Sequence, residues 1–192
     1  MYLSYLFKGT PGAMHMMIKD KFKKIGLFFD YMEFKKLIDE IEATPEFKEW
    51  KKDHPDFYLA HVFVMPSEDN VWQIGYYDKK SNKVDTIIKQ GNKIEIMPAQ
   101  DILKASQEIM PLKPEEVKLT VSEALEKAKA CIKENYPKEI LLKHFLIIQH
   151  LEGATVFNIT YVTQSFKTVN IKIDSADGKI IKHSMEKLAD FG

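Results

Sequence analysis

No arginine occurs among the 192 residues; every one of the 28 basic side chains is lysine. That weighs against functions built on planar bidentate forks, such as guanine readout or phosphate clamps. A sole cysteine, Cys131, excludes an intrachain disulfide and an all-cysteine metal site, and fits a reducing compartment. Net charge is absent too: 28 acidic residues balance the lysines, so no overall field steers the chain to nucleic acid or to anionic membrane. No apolar run is long enough to span a bilayer, and Lys8, Gly9 and Pro11 break the N-terminal stretch before it can form a clear secretory signal. The expectation is a cytoplasmic chain with no transmembrane segment, no nucleic-acid partner and no peripheral membrane contact.

Chemistry-bearing motifs are equally scarce. No His-Glu-x-x-His pair, nucleophile elbow, phosphate loop or dinucleotide fingerprint is present. His144 and His150 flank a strand, about 20 Å apart at strand rise, too far to share an ion. His61 and His144 read as histidines at the edge of the core, and Cys131 reads as a small hydrophobe on a helix's buried side. Asp174-x-x-Asp177-Gly178 lacks the alternating oxygen ligands of a calcium loop and reads as a turn. We therefore expect no catalytic residues, no metal site and no cofactor.

What is present is periodicity. Residues 1–24 form an N-terminal segment, partly disordered or a short helix, with Met14, Met16 and Met17 as alternative starts. Across Ile18–Phe29 lysines alternate with aromatics, which suits a short helix docked on its own domain or, alternatively, a membrane surface. Asp30-Tyr-Met-Glu33 has capping-box spacing before Phe34, Leu37, Ile38 and Ile41, and Thr44-Pro45 opens a second helix carrying Phe47 and Trp50. Strands are predicted at Phe57–Met65, Val71–Tyr77, Val84–Lys89 and Lys93–Met97, then a helix at Pro98–Ile109.

After the proline-rich stretch 111–118 the order repeats. Thr120-Val-Ser-Glu123 is a capping box for a helix bearing Ala124, Leu125, Ala128, Cys131 and Ile132. Strands follow at Leu142–Gln149, Val156–Thr163 and Val169–Ile173, with a short fourth at Lys179–Lys182. The segment VWQIGYYDKKSNKVDTII lies over VFNITYVTQSFKTVNIKI, with Trp72 on Phe157, Ile74 on Ile159 and Tyr76 on Tyr161; His61 falls on His144. These matches predict an α+β protein of two tandem repeats, each with helix packed on a four-stranded antiparallel sheet. The first spans residues 25–110, the linker 111–118, and the second 119–192.

The second unit resembles a PepSY domain. The residues that carry the likeness are Leu119-Thr-Val-Ser-Glu-Ala-Leu125, Tyr136-Pro137, and the hairpin from Val169-Asn-Ile-Lys-Ile-Asp174 through Gly178-Lys-Ile180. The first unit is a degenerate copy, with Lys89-Gln-Gly-Asn-Lys93 in place of the Asp-to-Gly turn. The resemblance implies a cystatin-like fold and a role in binding or restraining proteins, as in propeptides of thermolysin-type metallopeptidases. Members of the family are often secreted or membrane-tethered. Paired helix-plus-sheet units are also similar in architecture to β-lactamase-inhibitory proteins.

The first strand of each unit is apolar on both sides, although a sheet covered by helix on one face alone should be polar on the other. Strand alternation assigns Tyr58, Val62, Val64, Tyr77 and Ile87, with Phe145 and Ile147 as second-unit counterparts, to the face away from the helix. That surface is expected to be covered from within the chain, by a protein partner, or by a second copy. The functional expectation is a non-enzymatic module that binds or inhibits another protein through its sheet surface; the alternative is a small-molecule or lipid carrier with an aromatic pocket.

Overall fold

The computed structural model describes residues 34–65, 71–101, 108–151 and 153–188. Helix α1 (Phe34–Glu42) forms because Phe34, Leu37, Ile38 and Ile41 recur at helical spacing, and all four are buried. Helix α2 (Pro45–Asp53) starts at Thr44, whose hydroxyl accepts the Phe47 N–H at 3.3 Å, with proline at the first helical position. Helix α3 (Val121–Asn135) opens on a capping box. The Thr120 hydroxyl accepts the Glu123 N–H at 3.2 Å, and the Glu123 carboxylate accepts the Thr120 N–H at 2.7 Å. The capping-box spacing at Asp30–Glu33 and the N-terminal segment before it lie outside the described residues.

The strands are β1 (Tyr58–Val64), β2 (Val71–Asp78), β3 (Lys83–Gln90), β4 (Lys93–Asp101), β5 (Leu141–Leu151), β6 (Ala154–Thr163), β7 (Lys167–Asp174) and β8 (Ile180–Lys187). They do not make two four-stranded sheets, as the sequence pattern predicts. All eight form one antiparallel sheet in the order β4-β3-β2-β1-β5-β6-β7-β8. This overturns the layout of two tandem helix-on-four-strand, cystatin- or PepSY-like units. The physical reason lies at the seam. The first strand of each meander would have been an exposed, strongly apolar edge, and such edges pair. Here β1 and β5 pair with each other, Val62 opposite Ile148 and Val64 opposite Leu146, and all four side chains have no exposed surface.

The predicted helix at Pro98–Ile109 is also corrected. Residues 98–101 continue β4, with Asp101 opposite Lys83 and Gln100 opposite Val84. Proline is tolerated there because Pro98 falls at the irregularity between the Met97 and Gln100 pairings of an edge strand, where it has no ladder partner. Residues 102–107 lie outside the described residues. The chain then passes Leu112, whose N–H donates to the Leu59 carbonyl at 2.8 Å, into a 3-10 turn at Pro114–Glu116. Leu112 is 3 % exposed and belongs to the main core.

The three helices share one core on one side of the sheet. It gathers Ile38 and Ile41 from α1, Phe47 and Trp50 from α2, and Ala124 and Ala128 from α3, over Val62, Ile74, Ile87, Phe157, Ile159 and Ile171. Among the described residues no helix lies on the other side.

Candidate functional site: the open face of the sheet

The face without helices is fixed by register, and register places the seven residues singled out from sequence on both sides. β1 carries an irregularity between Leu59 and His61. One extra residue in a strand reverses the alternation beyond it. Tyr58 therefore faces away from the helices with its partner Tyr77, whereas Val62 and Val64 turn into the core. Ile87 is corrected likewise: Tyr77 pairs with Val84, three residues before Ile87, so Ile87 lies opposite Ile74 under the helices at 0 % exposure. Phe145 and Ile147 lie on the open side, opposite Thr160 and Asn158.

The structure brings Phe145 and Ile147 together with Phe63, which unbroken alternation from Leu59 would place on the helix side. Phe63 pairs with Ile147 across the seam, and its ring centroid lies 5.9 Å from that of Phe145. All three are half-buried. The signal that would have found Phe63 is the β1 irregularity, which nothing in the local sequence announces. Toward β8 the apolar stripe gives way to polar side chains. Asn170 donates its amide N–H to Asn158 Oδ1 at 2.7 Å and to Thr160 Oγ1 at 2.9 Å. A groove of about 470 Å³ runs over this region, with Phe145, Val162 and Leu188 as its apolar walls and Asn170, Ser184 and Glu186 as polar ones.

Tyr58 and Tyr77 occupy a different part of the same face and do not join the stripe. Their rings meet edge to face at 5.6 Å. Tyr58 donates its hydroxyl to the Ile109 carbonyl and Tyr77 donates to Asn82 Oδ1, at 2.8 and 2.9 Å. Burial raises the Tyr58 pKa, with Tyr77 adding to it. Ala60, Val84 and Ile109 complete this small second core, so this end of the face is covered by the chain itself.

The histidines are not equivalent. His61 lies on the open face, where its ring fills the space beside Gly75, and burial lowers its pKa. His144 lies on the helix side, stacked on Tyr161 with centroids 5.1 Å apart. Burial lowers the His144 pKa, with Lys129 adding to the effect, and pushes the Tyr161 phenol up to about 12. His144 Nε2 and the Tyr161 hydroxyl are both buried without a hydrogen-bond partner. Burial also raises the Cys131 thiol. Among the described residues no three His, Cys, Asp or Glu side chains gather closely enough to hold a metal ion.

A second concavity, about 620 Å³, lies on the helix side between α2 and the start of β1. Its floor is Phe47, Phe57, Leu59 and Tyr76, and Lys48 and Glu42 stand at its rim. Tyr76 donates its hydroxyl to Glu42 at 2.9 Å; burial, and then the Glu42 carboxylate, raise that phenol well above its ordinary range.

No protein-family model matches the chain, and no curated protein matches it. Among solved structures, a "putative lipoprotein" from Clostridium difficile 630 is similar at 17% identity and TM-score 0.49, over 73% of this chain and 90% of that one. The PepSY resemblance thus rests on the short motifs quoted for it. Among the described residues no helix is long and apolar enough to cross a membrane.

Proposed function

We propose that the chain is a non-catalytic module that binds another protein on the open face of its sheet. The observation that supports this is the stripe of Phe63, Phe145 and Ile147 at the β1–β5 seam, half-exposed on a face without described helix. Large apolar side chains on a continuous sheet surface provide the anchor of an interface, and the polar Asn170, Asn158 and Thr160 beside them provide its rim. The test is capture of a stoichiometric partner by tagged protein, compared with the Phe145→Lys/Ile147→Lys double variant. Loss of capture with an unchanged circular dichroism spectrum supports the reading. Capture that persists at full strength means that the partner binds elsewhere.

The cleft over Phe47, Phe57 and Tyr76 favours a second reading, a carrier of a small amphipathic ligand. Its volume and apolar floor lie within the range of small-molecule sites. Native mass spectrometry of the purified chain separates the two readings, since a bound small molecule supports the carrier alone.

A further inference from the structure

Strand β8 ends the sheet, and among the described residues nothing pairs with its outer side. The opposite edge, β4, contains Pro98. β8 contains no proline, and it follows β7 in unbroken register from Lys182 to Lys187. The Leu188 N–H donates to the Phe166 carbonyl at 3.0 Å. By the alternation of an antiparallel ladder, Lys182, Ser184 and Glu186 then aim their backbone groups at β7, while His183, Met185 and Lys187 aim theirs outward. Lys182, Ser184 and Glu186 carry their side chains on the open face, opposite Lys172, Asn170 and Thr168.

We propose that two copies of the chain join edge to edge through β8, antiparallel, about a twofold axis at Ser184. Charge selects this register over its neighbours. A twofold axis normal to the sheet must pass beside one residue, because residues that pair must share a face. At Ser184 it sets Lys182 opposite Glu186 of the partner subunit, and Glu186 opposite the partner's Lys182. An axis at Lys182 or at Glu186 would oppose like charges, which is unfavourable. An axis at His183 or at Met185 would leave both charges without an opposite. At Ser184 the outward backbone groups of His183 also meet those of the partner's Met185, the arrangement of a hydrogen-bonded pair.

Lysine on an edge ordinarily blunts it against arbitrary strands. In this register it does so while remaining complementary to one strand, its own copy. The groove walled by Ser184, Glu186 and Leu188 borders the same edge, so the second copy would extend the open face without a break.

Sedimentation velocity on the full chain, from about 1 to 500 µM, tests this. A dimer that weakens with added salt is expected. Glu186→Lys and Lys182→Glu should each raise the dimer dissociation constant about tenfold or more, and the double swap K182E/E186K should return it to near the starting value. Met185→Pro removes an outward N–H that β7 does not use, and should dissociate the dimer while the circular dichroism spectrum is kept. A chain that is monomeric throughout, a dimer indifferent to both single reversals, or a folded double swap no tighter than the single variants would each overturn the proposal.

Discussion

Trp50 of α2 donates its indole N–H to the carboxylate of Asp85 on β3 at 2.7 Å, a buried hydrogen bond that ties the second helix to the sheet. Asp85 is 3 % exposed, and its second oxygen has no hydrogen-bond partner. His54 completes the arrangement: its ring stacks on Trp50 at 4.9 Å, and its Nε2 lies 3.6 Å from the same Asp85 oxygen that Trp50 holds. A buried carboxylate with so few donors relies on each of them.

Trp50→Phe keeps most of the apolar contact and deletes the donor. The expected cost is about 1.5–3 kcal/mol, the range for a hydrogen bond to a charged group. Asp85→Leu made in the Trp50→Phe background should recover part of that loss, because it removes the carboxylate left unpaired. Urea denaturation of the four proteins in the cycle measures the coupling. Simple additivity would show that the bond contributes nothing beyond packing.

The placement of the β1 side chains makes a second, sharper contrast. Val62 is fully buried under the helices, so Val62→Lys puts an ammonium between Ile74 and Ile148, and the chain should unfold. Phe145 is half-exposed on the open face, and Phe145→Lys should leave the melting temperature within a few degrees of the parent. Circular dichroism melts of the two variants decide it. Similar behaviour in both would mean that the faces have been misassigned.

That contrast also marks how far the sequence could be read. Helices α2 and α3 are legible because their caps are local: Thr44-Pro45 and Thr120–Glu123 specify where each begins. Strands β2, β3, β6 and β7 are legible because apolar residues alternate within them. The pairing of β1 with β5 is not legible, because it joins residues far apart in sequence and is decided by which edges remain open after the meanders form. The face of Val62 is illegible for a related reason. Simple alternation carries Tyr58 and Val62 to one side, and the irregularity at Leu59–His61 that separates them is set by pairing to β2. The sequence predicts a last strand that ends at Lys182, whereas pairing with β7 carries it on to Lys187, through His183, Ser184, Met185 and Glu186, which have no marked strand preference of their own.

Acid stability should carry a signature of Glu139. Its carboxylate accepts from Lys167 at 2.8 Å and from the Ser165 hydroxyl, and these bonds lower its pKa from 4.5 to about 2. A carboxyl whose folded pKa lies below its unfolded value contributes stability that is fully present above the unfolded pKa. The contribution is then lost as the pH falls from about 4.5 toward 2. Glu139→Gln removes the titration, so the difference in melting temperature between parent and variant should shrink over that interval. A difference that stays constant from pH 6 to pH 2 would mean that Glu139 plays no part in acid unfolding.

The last prediction concerns Gly75, opposite His61 on the open face. A Cβ at Gly75 would lie 2.2 Å from His61 Cε1 and 2.6 Å from its Nδ1, so the ring occupies the space that any side chain would need. Two effects oppose one another in Gly75→Ala. Alanine in a strand restricts the unfolded chain and gains about 0.4–1 kcal/mol where it fits. The overlap with the imidazole costs about 1–3 kcal/mol unless the ring swings away. With backbone fixed by the β1 and β3 ladders on either side, the overlap should win, and the variant should be less stable than the parent. The sign should reverse once the ring is gone: in a His61→Ala background, Gly75→Ala should be neutral or stabilising. Burial holds the His61 pKa below its ordinary value, so a ring displaced into solvent by Gly75→Ala should titrate higher, and NMR of the imidazole protons reads that directly. Equal destabilisation of Gly75→Ala in both backgrounds, with no change in the His61 titration, would show that the backbone at Gly75, and not the imidazole, sets the requirement for glycine.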